Sequence, residues 1–160
     1  MKILIAYASK SGTAKHCAAL LQTRLPGSEL CDLLAETPDP ARYDRVVVGS
    51  GVRMGSIHKR ARAFVRRYAA VIAARPHAFF ITNSFTDQRK AILEASFPPE
   101  LYKTAVAAVS FGGRIELDKL KGSDRLIAKM VAAAPAAQQS AVSAGIDEKK
   151  SAAFADVIRA

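Results

Sequence analysis

The sequence predicts an α/β protein, a doubly wound sandwich around a five-stranded parallel sheet in the order 2-1-3-4-5. Three observations predict it. Short apolar or β-branched runs alternate with helical patterns along the chain. The first run stops at a small, hydroxyl-rich loop that opens a helix, which places a ligand loop after the first strand. The chain has 160 residues, 50% of them hydrophobic, enough for one domain spanning residues 1–160 with a sizeable core.

The elements follow in order. Ile3 to Tyr7 is a buried strand, and Thr13 to Leu25 is a helix with Ala14, Cys17, Ala18, Leu21 and Leu25 on one stripe. Pro26-Gly27 ends that helix, Ser28 to Leu33 is a short edge strand, and residues 37–41 are a proline-bearing loop. Asp44 to Ser50 carries Val46-Val47-Val48, the signature of a buried parallel strand, and runs into a glycine-rich loop over residues 49–56. A second helix starts near Ser56 or Ile57, with Ile57, Ala61, Phe64, Val65, Tyr68 and Ile72 as its stripe and Pro76 at its exit. His77 to Thr82 is a strand that closes on the polar loop 82–86. A helix over Asp87 to Ser96 stops at Phe97-Pro98-Pro99, and Thr104 to Phe111 is the last strand. Ser123 or Asp124 caps a helix reaching Ala134, residues 131–144 are rich in Ala, Ser and Gln, and Asp147 caps a final helix.

Function concentrates in the loops at the strand ends. Residues 9–14, Ser9-Lys10-Ser11-Gly12-Thr13-Ala14, combine hydroxyl donors, a glycine that lets backbone approach closely, and a helix N-terminus that favours an anion. No Walker sequence and no G-x-G-x-x-G accompany them, so a phosphate monoester is expected rather than a nucleoside triphosphate or a dinucleotide. The loops 50–56 and 83–86 complete the set that such a sheet would turn towards one ligand. No His/Cys/Asp/Glu cluster has metal-ligand spacing, and no G-x-S-x-G elbow occurs.

Tyr7, Ser9, Ser11, Gly12 and Thr13 carry a resemblance to the FMN phosphate loop of the flavodoxin family. The run from Tyr43 to His58, with Arg53-x-Gly55-x-x-His58 and then Phe64-Val65, is similar to the flavodoxin-type protoporphyrinogen dehydrogenases, quinone-coupled enzymes of haem synthesis. Gly112-Gly113-Arg114 and the run from Asp124 to Met130 extend that likeness, whereas the stretch from Ser84 to Thr104 is shorter than in those enzymes and has no tryptophan. The resemblance implies a flavodoxin-like fold and noncovalent FMN. Its phosphate would sit on Ser9 to Ala14, and its ring between Ser50, Gly51, Val52, Arg53, Met54 and Gly55 on one side and Asn83, Ser84 and Phe85 on the other. Arg53 would act on the flavin or on a substrate carboxylate, and His58 would make a structural bond or move a proton.

The implied activity is an FMN-dependent oxidoreductase that takes electrons from a reduced substrate, such as an acidic porphyrinogen, and passes them to a quinone or another carrier. Two readings stay beside it: an electron-transfer flavodoxin docking a redox partner through a basic face, and a binding module without flavin. Net charge is +10, from 24 Lys+Arg against 14 Asp+Glu. Lys59, Arg60, Arg62, Arg66 and Arg67 lie off the second helix's apolar stripe, which fits an acidic partner or peripheral contact with an anionic membrane. Nucleic acid is not expected, because no recognition motif or stacking set accompanies the charge. Cys17 and Cys31 are read as core residues in a reducing compartment, and with no signal-peptide layout the expected location is cytoplasmic.

Overall fold

The structure, a computed structural model, describes residues 1–82, 89–111 and 148–160. Its strands are β1 (Ile3–Ala8), β2 (Ser28–Asp32), β3 (Arg45–Arg53), β4 (Ser56–Ile57), β5 (His77–Thr82) and β6 (Ala107–Ser110). Its helices are α1 (Thr13–Arg24), α2 (Lys59–Arg67), α3 (Ala69–Ala73), α4 (Arg89–Ser96), α5 (Pro99–Thr104) and α6 (Glu148–Arg159). The sheet runs β2-β1-β3-β5-β6 with all neighbours parallel. In chain order those five parallel strands have the expected 2-1-3-4-5 arrangement. The sixth strand, β4, was not expected; it folds back antiparallel on the end of β3.

Two-sided burial explains the strand sequences. Every residue of β1 and of β5 is buried, so alternation gives way to continuous apolar runs. Ile3, Ile5, Tyr7, Val47, Ala78 and Phe80 face α1 and α6, while Leu4, Ala6, Val46, Val48, Phe79 and Ile81 face α2 to α5. The expected stripe of α1 is buried at all five positions, and each fully buried Leu or Ile contributes about 1.5–3 kcal/mol. Phe111 and Phe154 close the first face, their rings edge to face at 5.3 Å. Phe79 stacks on Phe97 at 4.0 Å in the second. Burial pushes the Cys17 and Cys31 thiols up to about 12, as suits core residues.

Several boundaries differ from expectation. The second helix starts at Lys59 rather than at Ser56 or Ile57, because those two residues pair with Arg53 and Val52 as β4. It breaks at Tyr68 into α2 and α3 instead of running on through Ile72. Residues Pro99–Thr104 form α5, with the proline in the first turn where its missing N–H costs nothing, so β6 begins at Ala107 rather than at Thr104. Strand β2 stops at Asp32, one residue early. His77 is buried, and its ring nitrogens lie 2.9 Å from the Arg75 and Leu101 carbonyls, a clip between β5 and α5 that the sequence did not signal. The helix expected from Ser123 or Asp124, the Gly112-Gly113-Arg114 turn and the Asp147 cap lie outside the described residues.

A Cβ on Gly49 would lie 1.9 Å from Phe80 Cζ, and Phe80 is itself held by Phe111 and Phe154 at 5.3 Å and 6.3 Å. Gly49→Ala should therefore lower stability by about 1–3 kcal/mol, read as a lower urea midpoint with unchanged slope.

Candidate functional site

The register of the parallel strands brings the later parts of β1, β3 and β5 to one edge. Ala8, the last residue of β1, pairs with Ser50, and Gly51 pairs with Thr82, the last residue of β5. The loop 9–12 and the β3–β4 hairpin therefore both leave from the carboxyl end of the sheet, where β5 also ends, beside the point where strand order reverses. Asn83, Ser84 and Phe85 lie outside the described residues.

The first loop is shaped for an anion. Gly12 caps α1 with φ 94°, a left-handed conformation that favours glycine, and no side chain caps that helix end. The first turn of α1 carries no acidic residue. The Gly12 N–H donates to Ser9 Oγ at 3.0 Å, which folds the loop, and the Ser11 and Thr13 hydroxyls stand 3.3 Å apart. Ser9, Ser11, Gly12 and Thr13 are half-buried, Lys10 is exposed, and the Ala14 side chain is buried in the α1-side core. A helix start without a side-chain cap, neighbouring hydroxyls and a first turn without carboxylates fit a phosphate. These residues therefore fit the FMN phosphate that the resemblance implies.

The second loop is a hairpin rather than the open glycine-rich loop expected. Arg53 pairs with Ser56, and Met54 and Gly55 between them have φ of 53° and 76°. Two successive positive φ values make a type I′ turn, whose twist matches that of the strands. Glycine meets this demand at 55, whereas Met54 takes it at some cost and is 83% exposed. Val52 packs half-buried on the α2-side core and pairs with Ile57. A Cβ on Gly51 would meet Thr82 Oγ1 at an ordinary 3.7 Å, so no close approach explains that glycine.

Ser50 corrects the expectation of a flavin-lining hydroxyl. It is fully buried; its Oγ donates to the Gly51 carbonyl at 2.8 Å and accepts the His58 N–H at 2.9 Å. It thus ties the end of β3 to the start of α2. His58 is the N-cap of α2, its Nδ1 accepting the Arg60 N–H at 3.0 Å, so that nitrogen is engaged in the fold rather than free to move a proton. Partial burial lowers the His58 pKa, and the charges of Lys10, Lys59, Arg53 and Arg60 lower it further. Arg53 is exposed at the hairpin end. Among the described residues no three His, Cys, Asp or Glu could hold a metal ion, and no helix is long and apolar enough to cross a membrane.

Replacing the cap with alanine, His58→Ala, should cost about 0.5–2 kcal/mol, whereas His58→Asn keeps a capping acceptor and should cost less. The folded pKa of His58 lies below its ordinary 6.5. The unfolded chain therefore binds the proton first as pH falls, and stability is lost from about pH 6.5 downward through the folded value. A urea series across that window should show this loss, and His58→Asn should flatten it.

The comparisons with known proteins agree with this geometry. The sequence model of the flavodoxin domain family matches residues 4–141. The protoporphyrinogen IX dehydrogenase [quinone] of Escherichia coli K12 is 26% identical over 150 residues, covering 82% of this chain and 78% of that protein. Among solved structures, a flavodoxin from the domain Archaea superposes with a TM-score of 0.56 at 11% identity over 100% of both chains. A Lactobacillus acidophilus flavoprotein in complex with FMN superposes with a TM-score of 0.52 at 18% identity, over 68% of this chain and 92% of its own. With the family match spanning most of its length, this chain belongs to the flavodoxin domain family.

Proposed function

We propose that this protein binds FMN noncovalently at the carboxyl end of its sheet and works as an oxidoreductase of the protoporphyrinogen dehydrogenase kind, with a quinone or another carrier as acceptor. The observation that carries the proposal is the first loop: a left-handed Gly12 opening a helix without a side-chain cap, beside the Ser11 and Thr13 hydroxyls. FMN is the ligand bound in the Lactobacillus acidophilus structure, and the Escherichia coli relative is a quinone-linked protoporphyrinogen IX dehydrogenase. Both support the reading.

Bound FMN supplies a ring that accepts and releases electrons singly or in pairs. The chain's own residues do the rest. The first-turn amides of α1, with Ser11 and Thr13, hold the phosphate against the positive end of the helix dipole. Ser9 keeps the loop folded through the Gly12 N–H, and Ser50 fixes the hairpin through the His58 N–H. Arg53 sits at the mouth, where a guanidinium favours the more anionic reduced flavin or pairs with a substrate carboxylate. Asn83, Ser84 and Phe85 follow β5 directly and would close the ring's other side.

The second reading is an electron carrier that docks a redox partner through its basic face. The stretch from Ser84 to Thr104, shorter than in the porphyrinogen-oxidising enzymes the sequence resembles, favours it. Peripheral contact with an anionic membrane, where a quinone would be met, accords with the same positive charge.

Thr13→Glu puts a carboxylate beside the phosphate. At about 4 Å that repulsion is worth about 1–4 kcal/mol, so FMN affinity should fall roughly 5- to 1,000-fold by flavin fluorescence titration. Unchanged affinity would overturn the loop assignment. The FMN-loaded protein should lose its yellow absorbance on anaerobic addition of protoporphyrinogen; a stable spectrum would leave the carrier reading in its place.

A further inference from the structure

His77, the first residue of β5, is 2% exposed, and the proposed flavin chemistry leaves it unused. Three oxygens crowd its ring. Nδ1 lies 2.9 Å from the Arg75 carbonyl. Nε2 lies 2.9 Å from the Leu101 carbonyl and 3.3 Å from Thr104 Oγ1. The Thr104 hydroxyl donates its proton to the Glu100 carbonyl at 2.9 Å, so it too turns a lone pair towards Nε2.

A neutral imidazole has one N–H and one bare nitrogen. In either tautomer a nitrogen lone pair would face a carbonyl oxygen at 2.9 Å inside the fold, where such a contact is not softened by solvent. An imidazolium has a proton for each side. The Leu101 carbonyl gains by it, being among the last four of α5, which a helix leaves without an intrahelical partner. The Phe79 ring, 5.6 Å away between centroids, stands within the range at which an aromatic ring attracts a cation.

The charges around His77 do not reverse this. Arg75 sends its guanidinium to the Val71 carbonyl, and Arg45 of β3, which lines the same small hollow as His77, sends its own to the Ile158 carbonyl. Both repel an imidazolium, but both are half-buried and screened by solvent, whereas the carbonyl contacts are buried and direct. Glu100 and Lys103 of α5 are exposed and of opposite sign. Val106 and Ile158 bring aliphatic carbon to the hollow.

We propose that His77 is held as an imidazolium, a doubly donating clip that fastens β5 to α5 and releases as the surroundings turn alkaline. Its own carbonyl accepts the Val106 N–H at 2.8 Å, so the clip also holds the approach to β6. It lies at the opposite end of β5 from Thr82 and the candidate site, and it does not depend on the flavin reading.

The first test reads the ring directly. Long-range proton–nitrogen NMR at about pH 7.5, roughly one unit above the ordinary histidine value, should show both His77 nitrogens protonated and the exposed His16 neutral. A single protonated nitrogen on His77, in either tautomer, would overturn the proposal.

The second test reads stability. The folded chain keeps a proton that the unfolded chain releases above about pH 6.5, so stability should fall as pH rises from that point. The wild-type urea midpoint should decline between about pH 6.5 and about pH 8.5, and that of His77→Gln, which has no proton to lose there, should be flatter. Parallel profiles would sink the clip. Should His77→Gln not fold, hydrogen exchange in the wild type gives the same reading. Protection of the Val106 N–H, corrected for the intrinsic pH dependence of exchange, should fall by up to about tenfold per pH unit over that interval. Protection that stays level would equally overturn it.

Discussion

The parallel pairing of β3 with β1 sets the geometry of everything at the strand ends. Ala8 lies opposite Ser50, so the chain leaves β1 for the first loop at the point where β3 has three residues still to run. Gly51 still pairs with Thr82 of β5, but Val52 and Arg53 reach past both parallel neighbours. Their pairing groups are met by the antiparallel return of β4. A slip of one residue in this pairing would exchange Val47 with Val46 and Val48 between the two cores and turn Ser50 out of its bond to the His58 N–H. Register, hairpin and helix start are therefore one construction, and Gly49, with Phe80 lying where a side chain would stand, is its tightest point.

Much of this was legible because two-sided burial writes itself plainly. Ile3 to Tyr7 and Val46 to Val48 read as interior strands since no polar residue interrupts them, and the α1 stripe reads at helical spacing because it packs on a flat sheet. The first loop was legible as a strand-to-helix connection, since small hydroxyl residues and Gly12 stand between an apolar run and a helical stripe. The hairpin was hidden. Gly49-Ser50-Gly51 has the composition of a loop, the turn is Met-Gly rather than Asn-Gly, and the pairing of Val52 with Ile57 exists only once the chain folds back. α5 was hidden by Pro98-Pro99, a dipeptide that ends helices but also starts them. His58 was read as making a structural bond or moving a proton within the helix; it makes a structural bond from one residue outside, as the cap, because the helix starts at Lys59.

Charge is divided along the chain as sharply as hydrophobicity. Residues 29–44 hold five acids, Glu29, Asp32, Glu36, Asp39 and Asp44, against a single Arg42, and they run from the edge strand β2 to the start of β3. The stretch from β3 through α3 holds bases and no acids. Formal charge therefore changes sign between the segment that begins with β2 and the one that begins with β3. A charged partner meets an uneven field before it makes contact, and the field turns it as well as attracting it.

The two faces of the sheet are completed at different moments in the life of the chain. Among the described residues the α2 side is filled by elements that end at β6, all present once residue 110 has been made. The other side needs Phe154, Ala155 and Ile158 of α6 to cover Phe80 and Phe111, and the Arg45 guanidinium reaches back to the Ile158 carbonyl. At synthesis speeds of about 5–20 residues per second, the ribosome holds for several seconds a chain with one finished face and one aromatic face open to water. That interval is when a chaperone would find this protein most attractive, and when two nascent copies sharing a message would be at greatest risk of sticking together.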